Sequence, residues 1–402
     1  MEIEMNRHKT IPFFKPNITQ EEEDAVLEVL RSGWLTTGQK TTDFENAFKH
    51  YTGARHALAL NSCTAALHLS LEVLELQEDD EVITSPFTFS ATASEILHAG
   101  ATLKFADVDP QTGNIDPNCL ENALTLNTRA LIPVHFAGIP CQMSRIMELS
   151  FNYDLKIIED AAHALESIYQ GQKIGAIGDF TCFSFYATKN ITTGEGGMLT
   201  CDNDTLAEKV RILSLHGMSK DAWQRYHPDQ NSAKKDYYQI LFRGFKYNMS
   251  DLQAALGIVQ LAKVEQLWTK RRTLTQLYRK LLADIPEIEL FAEPQDCKHA
   301  HHLMVIKLNL NTLTITRDEF IKQLKENGVG CSIHFISLHL HPYFQETFGF
   351  TPTDFPNAYD LSQRVVTLPL YPSQSEDDVL YVTQVIKKIL NKNKLNPLLS
   401  IT

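Results

Sequence analysis

The sequence predicts an α/β protein with a large unit built on a mostly parallel seven-stranded sheet, followed by a smaller C-terminal α+β unit. Three observations predict it. Between residues 56 and 201 short apolar runs alternate with segments long enough for crossover helices, which parallel strands require. Beyond residue 202 long helical patterns dominate and strand-like runs become few. Finally, a chain of 402 residues exceeds the usual size of one hydrophobic core.

The elements follow in order. After Pro16, Thr19 and Glu22 fit a capping box, and Ala25, Val26, Val29 and Leu30 form a helical apolar stripe that Gly33 ends. Strands are expected at 56–60 (HALAL), 81–84 (EVIT), 102–108 (TLKFADV), 130–136 (ALIPVHF), 156–160 (KIIED), 180–185 (FTCFSF) and 198–201 (MLTC). A helix begins near residue 205, and the polar stretch 219–235 reads as an exposed loop. A long helical pattern covers 250–282, then strand-like 302–310, a helix over 317–327, strand-like 330–335 and a final helix over 376–390. The expected division is an N-terminal segment and helix at 1–35, a large cofactor-binding unit at 36–255 and a small unit at 256–402.

Composition narrows the function. A net charge of −12 with no long basic run argues against general affinity for nucleic acid or anionic membrane, so an anionic small substrate needs locally placed cations. The start MEIEMNRHKT lacks the basic and apolar regions of a signal peptide, and no apolar run approaches the ~18 to 20 residues of a spanning helix. Seven scattered cysteines without a C-x-x-C pair read as reduced thiols in a cytoplasm.

The chemistry centres on FSFYATKNITTGEGGM, 183–198, where Lys189 stands between an aromatic-rich strand and a loop with Gly194, Gly196 and Gly197. A phosphate loop of the G-x-x-x-x-G-K-[ST] kind puts glycine before lysine, the reverse of this order, and no G-x-G-x-x-G opens a helix after the first strand. Three features give Lys189 company. Asp160 ends the KIIED strand at the carboxyl edge, where ligands bind in open α/β sheets, although it also suits a helix N-cap. Ser62, Cys63, Thr64 and Ala65 lead a strand into a helix whose N–H groups can hold a phosphate, although such residues are also ordinary caps. Phe87 and Phe89 follow another strand, with core burial the alternative for either.

A phosphate cradle, an aromatic plate, a carboxylate and a lysine together suit pyridoxal 5′-phosphate, which needs an amine for its aldehyde, an acid partner for its ring nitrogen and a helix start for its phosphate. The lysine serves only if its amine is partly neutral, which desolvation promotes. Glycines after it permit close backbone approach.

The motifs RSGWLTTG, SCTAALHLSL, DDEVITSPFTFSATA, IPVHFAG, IIEDAAHA, GDFTCFSFYATKN, GEGGM, GFKYNMSDLQAALG and SIHFISLHLHPY occur in this order along nearly the whole chain. In them the sequence resembles the DegT-type nucleotide-sugar aminotransferases, fold type I pyridoxal-phosphate enzymes with an aspartate-aminotransferase-like fold. The resemblance implies that Lys189 binds the cofactor covalently and shuttles protons, and that Asp160 partners the ring nitrogen. It also implies that His163 lies beside the ring, Phe89 stacks on it, Cys63, Thr64 and Ser184 hold the phosphate, and Asn248 reaches the phosphate of a neighbouring subunit. A homodimer with shared active sites follows. Cys63 departs from the small residue commoner in the family. A related branch replaces the lysine by histidine and removes a hydroxyl; this sequence keeps lysine, which favours transamination.

The resemblance further implies L-glutamate as amino donor and a keto sugar on a nucleotide diphosphate as acceptor, for bacterial surface polysaccharides. It is strongest to enzymes aminating C4 of uridine-diphosphate sugars, with C3 amination and other carriers open. His334 and Lys246 are candidate substrate contacts; Arg7, Lys9, Arg225 and Arg243 are further cations for a diphosphate, each with surface solvation as the alternative. Two rivals come from other classes. His299, His301, His302, His334, His339 and His341 raise a zinc site, but they lack helical H-x-x-x-H spacing and a nearby carboxylate at fixed spacing, and no metal is expected. A catalytically silent scaffold is opposed by the retained Lys189, Asp160 and Thr64.

Overall fold

A computed structural model describes residues 9–219 and 238–395. Arg7, Arg225 and all but the first residue of the expected loop 219–235 lie outside the described residues. The seven-stranded sheet contains β1 (His56–Leu60), β2 (Glu81–Thr84), β3 (Thr102–Phe105), β4 (Thr128–Ile132), β5 (Lys156–Asp160), β8 (Phe180–Ser184) and β9 (Gly197–Cys201). Two short strands, β6 (Ile168–Tyr169) and β7 (Gln172–Lys173), form a hairpin outside it. The order is β1-β9-β8-β5-β4-β2-β3, parallel from β8 to β3, with β9 antiparallel to both its neighbours. Because β9 reverses direction between β1 and β8, the carboxyl ends of β1, β2, β4, β5 and β8 share one edge.

The strand expected over 130–136 stops at Ile132, because Pro133 has no N–H for the ladder. The helix Cys63–Glu72 starts where Ser62 Oγ accepts the Ala65 N–H at 3.0 Å, and nearly all of it is buried against the sheet. The helix Gln20–Ser32 has the expected capping box, with the Glu22 carboxylate taking the Thr19 N–H at 2.8 Å, and ends at Gly33 with φ +76°. Its expected stripe is a correction: Val29 is buried, but Leu30 is 50% exposed and Ala25 and Val26 only half-buried. The helix rests on Asp251–Ala262 along one narrow side, and its flank stays open in the single chain.

The second unit carries the three-stranded antiparallel sheet β10 (Ile288–Leu290), β12 (Met304–Leu308) and β13 (Val365–Leu368), with β11 (Cys297–Lys298) extending the β6–β7 hairpin. Its core joins Leu274, Tyr278, Ile306, Phe320, Leu368 and Ile386. No strand forms over 330–335. Val329 bridges instead to Ile11 and Ser332 to Thr367, so the N-terminal segment takes up those backbone groups and buries Ile11 in this core. The pattern over 250–282 resolves into two helices, Asp251–Ala262 and Val264–Leu282, breaking at Lys263, whose Nζ pairs with Glu22 at 2.9 Å. The first of these runs across the expected division at 255. The helix Gln39–Thr52 and strand β13 have no counterpart in the sequence reading, although Phe44 and Phe48 anchor that helix with no exposure.

Candidate active site

The shared carboxyl edge opens into a cleft of about 490 Å³. Cys63, Thr64, Phe89, Asp160, His163, Ser184, Lys189 and His334 all line it. Seven of the eight arrive from four strand ends, Cys63 and Thr64 after β1, Phe89 after β2, Asp160 and His163 from β5, Ser184 and Lys189 from β8, and His334 comes from the second unit. Cys63 and Lys189, 126 positions apart in sequence (189 − 63), thus meet because parallel strands end at one edge.

Asp160 is buried, and its Oδ2 accepts the Thr92 hydroxyl at 2.7 Å while Oδ1 accepts the Ala162 N–H at 3.1 Å. Thr88 Oγ1 lies 2.8 Å from Thr92 Oγ1, extending the chain. No helix follows Asp160, so the helix-cap reading fails. Thr88 and Thr92, spaced i and i+4 at the start of the helix Ser90–His98, are site residues the sequence reading missed; their spacing was the available signal.

Lys189 faces Asp160 and Cys63 across the cleft. Burial pulls its amine down to about 8, against the opposing pull of Cys63 and Asp160. Burial, assisted by Lys189 and His334, holds His163 neutral, well below the usual histidine range, and its Nδ1 has no partner. Burial and Lys189 bring His334 down to about 4; its Nδ1 lies 2.9 Å from Thr367 Oγ1. Burial and Asp160 push the Cys63 thiol well up, so it stands neutral at the cradle.

Phe87 is core, at 1% exposed, whereas Phe89 is 64% exposed on the cleft wall, so the two phenylalanines divide between the alternatives. Among the glycines after Lys189, Gly197 permits the close backbone approach expected of them, and the backbone it meets is that of Ser62 and Cys63. A Cβ on Gly197 would stand 2.3 Å from Ser62 C and 2.5 Å from Cys63 N. Strand β9 therefore presses backbone to backbone against the turn that opens the helix Cys63–Glu72, and Gly197 makes that approach possible. Gly194 holds φ +78° in open surroundings.

Asn248 and Lys246 do not line this cleft. Asn248 Nδ2 donates to Thr37 Oγ1 at 2.6 Å and its Oδ1 accepts from Lys246 Nζ at 2.7 Å. Their segment lies beside the end of β1, with the Asn61 N–H donating to Tyr247 O at 2.7 Å. Lys9 pairs with Asp378 at 2.8 Å.

The histidines of the zinc rival do not converge as a set: His334 lines the cleft, His339 contacts Ser337 and His341 lies near Ile336 O. Glu293, His299 and His301 do bring ligand atoms within 4.8 Å of one another. Their setting opposes a dication. Arg279 lies 3.4 Å from Glu293, His299 Nδ1 accepts the His301 N–H at 2.9 Å, and Arg272, Arg279, Lys298 and Arg271 add to burial in lowering His301 to about 4.

The residues fit pyridoxal phosphate. The N–H groups of Cys63 and Thr64 begin a helix and find no acceptor among the described residues, as a phosphate cradle requires. His163, whose buried Nδ1 has no hydrogen-bond partner among the described residues, lines the same space. A lysine and a carboxylate at the carboxyl edge of this sheet define a fold type I pyridoxal-phosphate aminotransferase. Residues 16–387 match the model of the DegT/DnrJ/EryC1/StrS aminotransferase family, and the chain belongs to that family of sugar aminotransferases. It is 48% identical over 385 residues to the spore coat polysaccharide biosynthesis protein SpsC of Bacillus subtilis, covering 96% of this chain and 98% of SpsC. The putative sugar aminotransferase Spr1654 of Streptococcus pneumoniae, solved in its PLP form, superposes with a TM-score of 0.87 at 33% identity, over 96% of this chain and 99% of its own. Helicobacter pylori PseC, an aminotransferase involved in pseudoaminic acid biosynthesis, gives 0.88 at 29% identity, over 96% and 100%. Among the described residues no helix is long and apolar enough to cross a membrane, and all seven cysteines are free thiols.

Proposed function

We propose that the enzyme moves the amino group of L-glutamate to a keto carbon, C4, of a sugar carried on a nucleotide diphosphate, in the cytoplasm, for surface glycan synthesis. The observation that carries the reading is the placement of Lys189 opposite Asp160 in one wide cleft. Pyridoxal phosphate, when bound, supplies the electron sink for breaking a bond at the amino-bearing carbon. The chain's own residues do the rest. Lys189 holds the cofactor through Nζ and, once freed, takes up and returns the proton as base and then acid; an amine poised near pH 8 suits both tasks. Asp160, fixed by Thr92 and the Ala162 N–H, keeps the ring nitrogen protonated. Cys63 and Thr64 N–H groups with Ser184 hold the phosphate, and Phe89 and His163 bound the ring.

The exposed Phe89 and the open cleft leave room for a substrate much larger than an amino acid, with His334 also on the lining. The position of Asn248 and Lys246 by the end of β1 but off the cleft lining, together with the exposed Leu27 and Leu30 elsewhere on the surface, supports a homodimer in which these two serve the partner's cleft. The glycan role draws on the names of SpsC and PseC. Lys189→Ala should abolish both turnover and the visible absorbance of the cofactor-loaded enzyme; normal activity in that variant sinks the reading. Screening L-glutamate against a panel of nucleotide keto sugars, with 2-oxoglutarate release as readout, tests donor, carrier and carbon.

A further inference from the structure

Behind Lys189 lies a second, much smaller cavity of about 30 Å³, lined by Lys189, Thr188, His302, His334, Phe13 and Phe14. That is room for one water molecule with several polar partners. Lys189, with Thr188 and His334, lines both the wide cleft and this small chamber. His302 is 4% exposed, and its ring packs on His163 with centroids 4.4 Å apart.

The tautomer of His302 is dictated by groups further back. Asn190 donates from Nδ2 to Ala300 O at 3.0 Å and to Glu166 Oε2 at 2.6 Å. A backbone carbonyl can only accept, so the amide cannot be turned round, and its Oδ1 must face His302 Nδ1 at 2.8 Å. His302 therefore carries its proton on Nδ1 and leaves Nε2 as an acceptor. Glu166 and Asn190 are fully or almost fully buried and have no other duty in the site. Burial, then His163, Lys189, Arg271 and His334, keep His302 neutral. The groups facing Lys189 are thus Asp160, Cys63, His163, His334 and His302.

We propose that Glu166 and Asn190 fix His302 so that its Nε2, through one water in the small cavity, accepts a hydrogen bond from the Lys189 amine and sets where that amine rests when it is not bound to the cofactor. His302 is a positioning residue, acting on Lys189 alone. The inference rests on the reading of Lys189 as the cofactor-bearing lysine for its purpose, but its physical content concerns the cofactor-free protein.

The test uses that protein. An acceptor near the amine favours its charged form, so the pH midpoint for labelling Lys189 with an amine-reactive reagent, read by peptide mass spectrometry, should fall by about one unit in His302→Phe, on the scale of one hydrogen bond to a charged group. His302→Gln, which keeps an acceptor, and Glu166→Gln, which keeps one for Asn190, should restore most of the wild-type midpoint. Asn190→Ala frees the tautomer and should shift the midpoint in the same direction as His302→Phe. Nitrogen-15 NMR of histidine-labelled wild type should show His302 protonated at Nδ1 and not at Nε2 from pH 6 to 9. A proton on Nε2, or an unchanged midpoint in both His302→Phe and Asn190→Ala, overturns the proposal; if His302→Phe does not fold, Asn190→Ala and the NMR decide it. Borohydride trapping of pyridoxal phosphate on wild-type Lys189 tests the underlying reading separately, since its failure leaves the midpoint shifts intact.

Discussion

Replacing Gly197 by alanine isolates the contact between strand β9 and the helix start that we propose cradles the phosphate. The new methyl would lie 2.3 Å from Ser62 C, 2.4 Å from Ser62 O and 2.5 Å from Cys63 N, all backbone atoms with no rotamer to yield. Ordinary van der Waals contact needs about 3.5 Å, so the turn or the strand must move by roughly 1 Å. Overpacking of this kind costs about 1–3 kcal/mol of stability. A displacement of that size in a binding cradle costs on the order of 100-fold where geometry matters. Gly53→Ala is the matched control: Gly53 ends the helix Gln39–Thr52 at φ +84° with nothing within 4 Å of the new Cβ, so only backbone strain of about 1 kcal/mol applies there. Thermal melting should show both variants destabilised, while titration of the cofactor-free proteins with pyridoxal phosphate should weaken for Gly197→Ala alone, by ten- to a hundredfold. If Gly197→Ala binds the cofactor as tightly as wild type, the phosphate does not sit on this turn.

Thr92→Val removes the hydroxyl that Asp160 Oδ2 accepts, a bond to a charged group worth about 1.5–3 kcal/mol, and should lower kcat ten- to a hundredfold with the fold intact; unchanged kcat means that Thr92 does not hold Asp160. Lys189 is depressed to about 8 in the folded chain against 10.5 unfolded, so the unfolded state binds the extra proton between these values and stability rises with pH across pH 8 to 10.5. Lys189→Met should flatten that rise and melt higher than wild type at pH 7 in the cofactor-free state; a lower melting point counts against a desolvated amine. His334 and His301, each lowered to about 4, are neutral when folded and contribute stability that is present above pH 6.5 and lost as pH falls towards 4, each at up to about 1.4 kcal/mol per unit. Denaturant melts from pH 7 to 4.5 should show this loss, and His334→Phe should reduce its slope.

The reach of the sequence was set by locality. Period-two and buried apolar runs such as HALAL, EVIT and KIIED matched their strands residue for residue, and capping residues such as Thr19 and Ser62 marked helix starts, because those signals act over a few residues. Strand β13 and the end of β4 were missed or overrun where a distant partner or a single proline decided the ladder. The run 330–335 looked like a strand and is not one, because its neighbours are the N-terminal segment near Ile11 and a single bridge at Thr367.

Among the site residues, Lys189, Asp160, Phe89 and Thr64 were legible because the chemistry of the cofactor demands those residue types at strand ends. Thr92, Asn190, His302 and Glu166 were not, since each acts through a neighbour that folding supplies: Thr92 through Asp160, 68 positions away, and His302 through Asn190, 112 positions away. The order of residues along the chain alone determined the class of fold and singled out Lys189, which the structure places on the cleft. The tertiary structure decided that Gly197 braces the phosphate turn, that Lys246 and Asn248 stand outside their own chain's cleft, and that a small chamber backs Lys189. Those are matters of which backbones and buried polar groups meet, and a linear pattern carries no record of them.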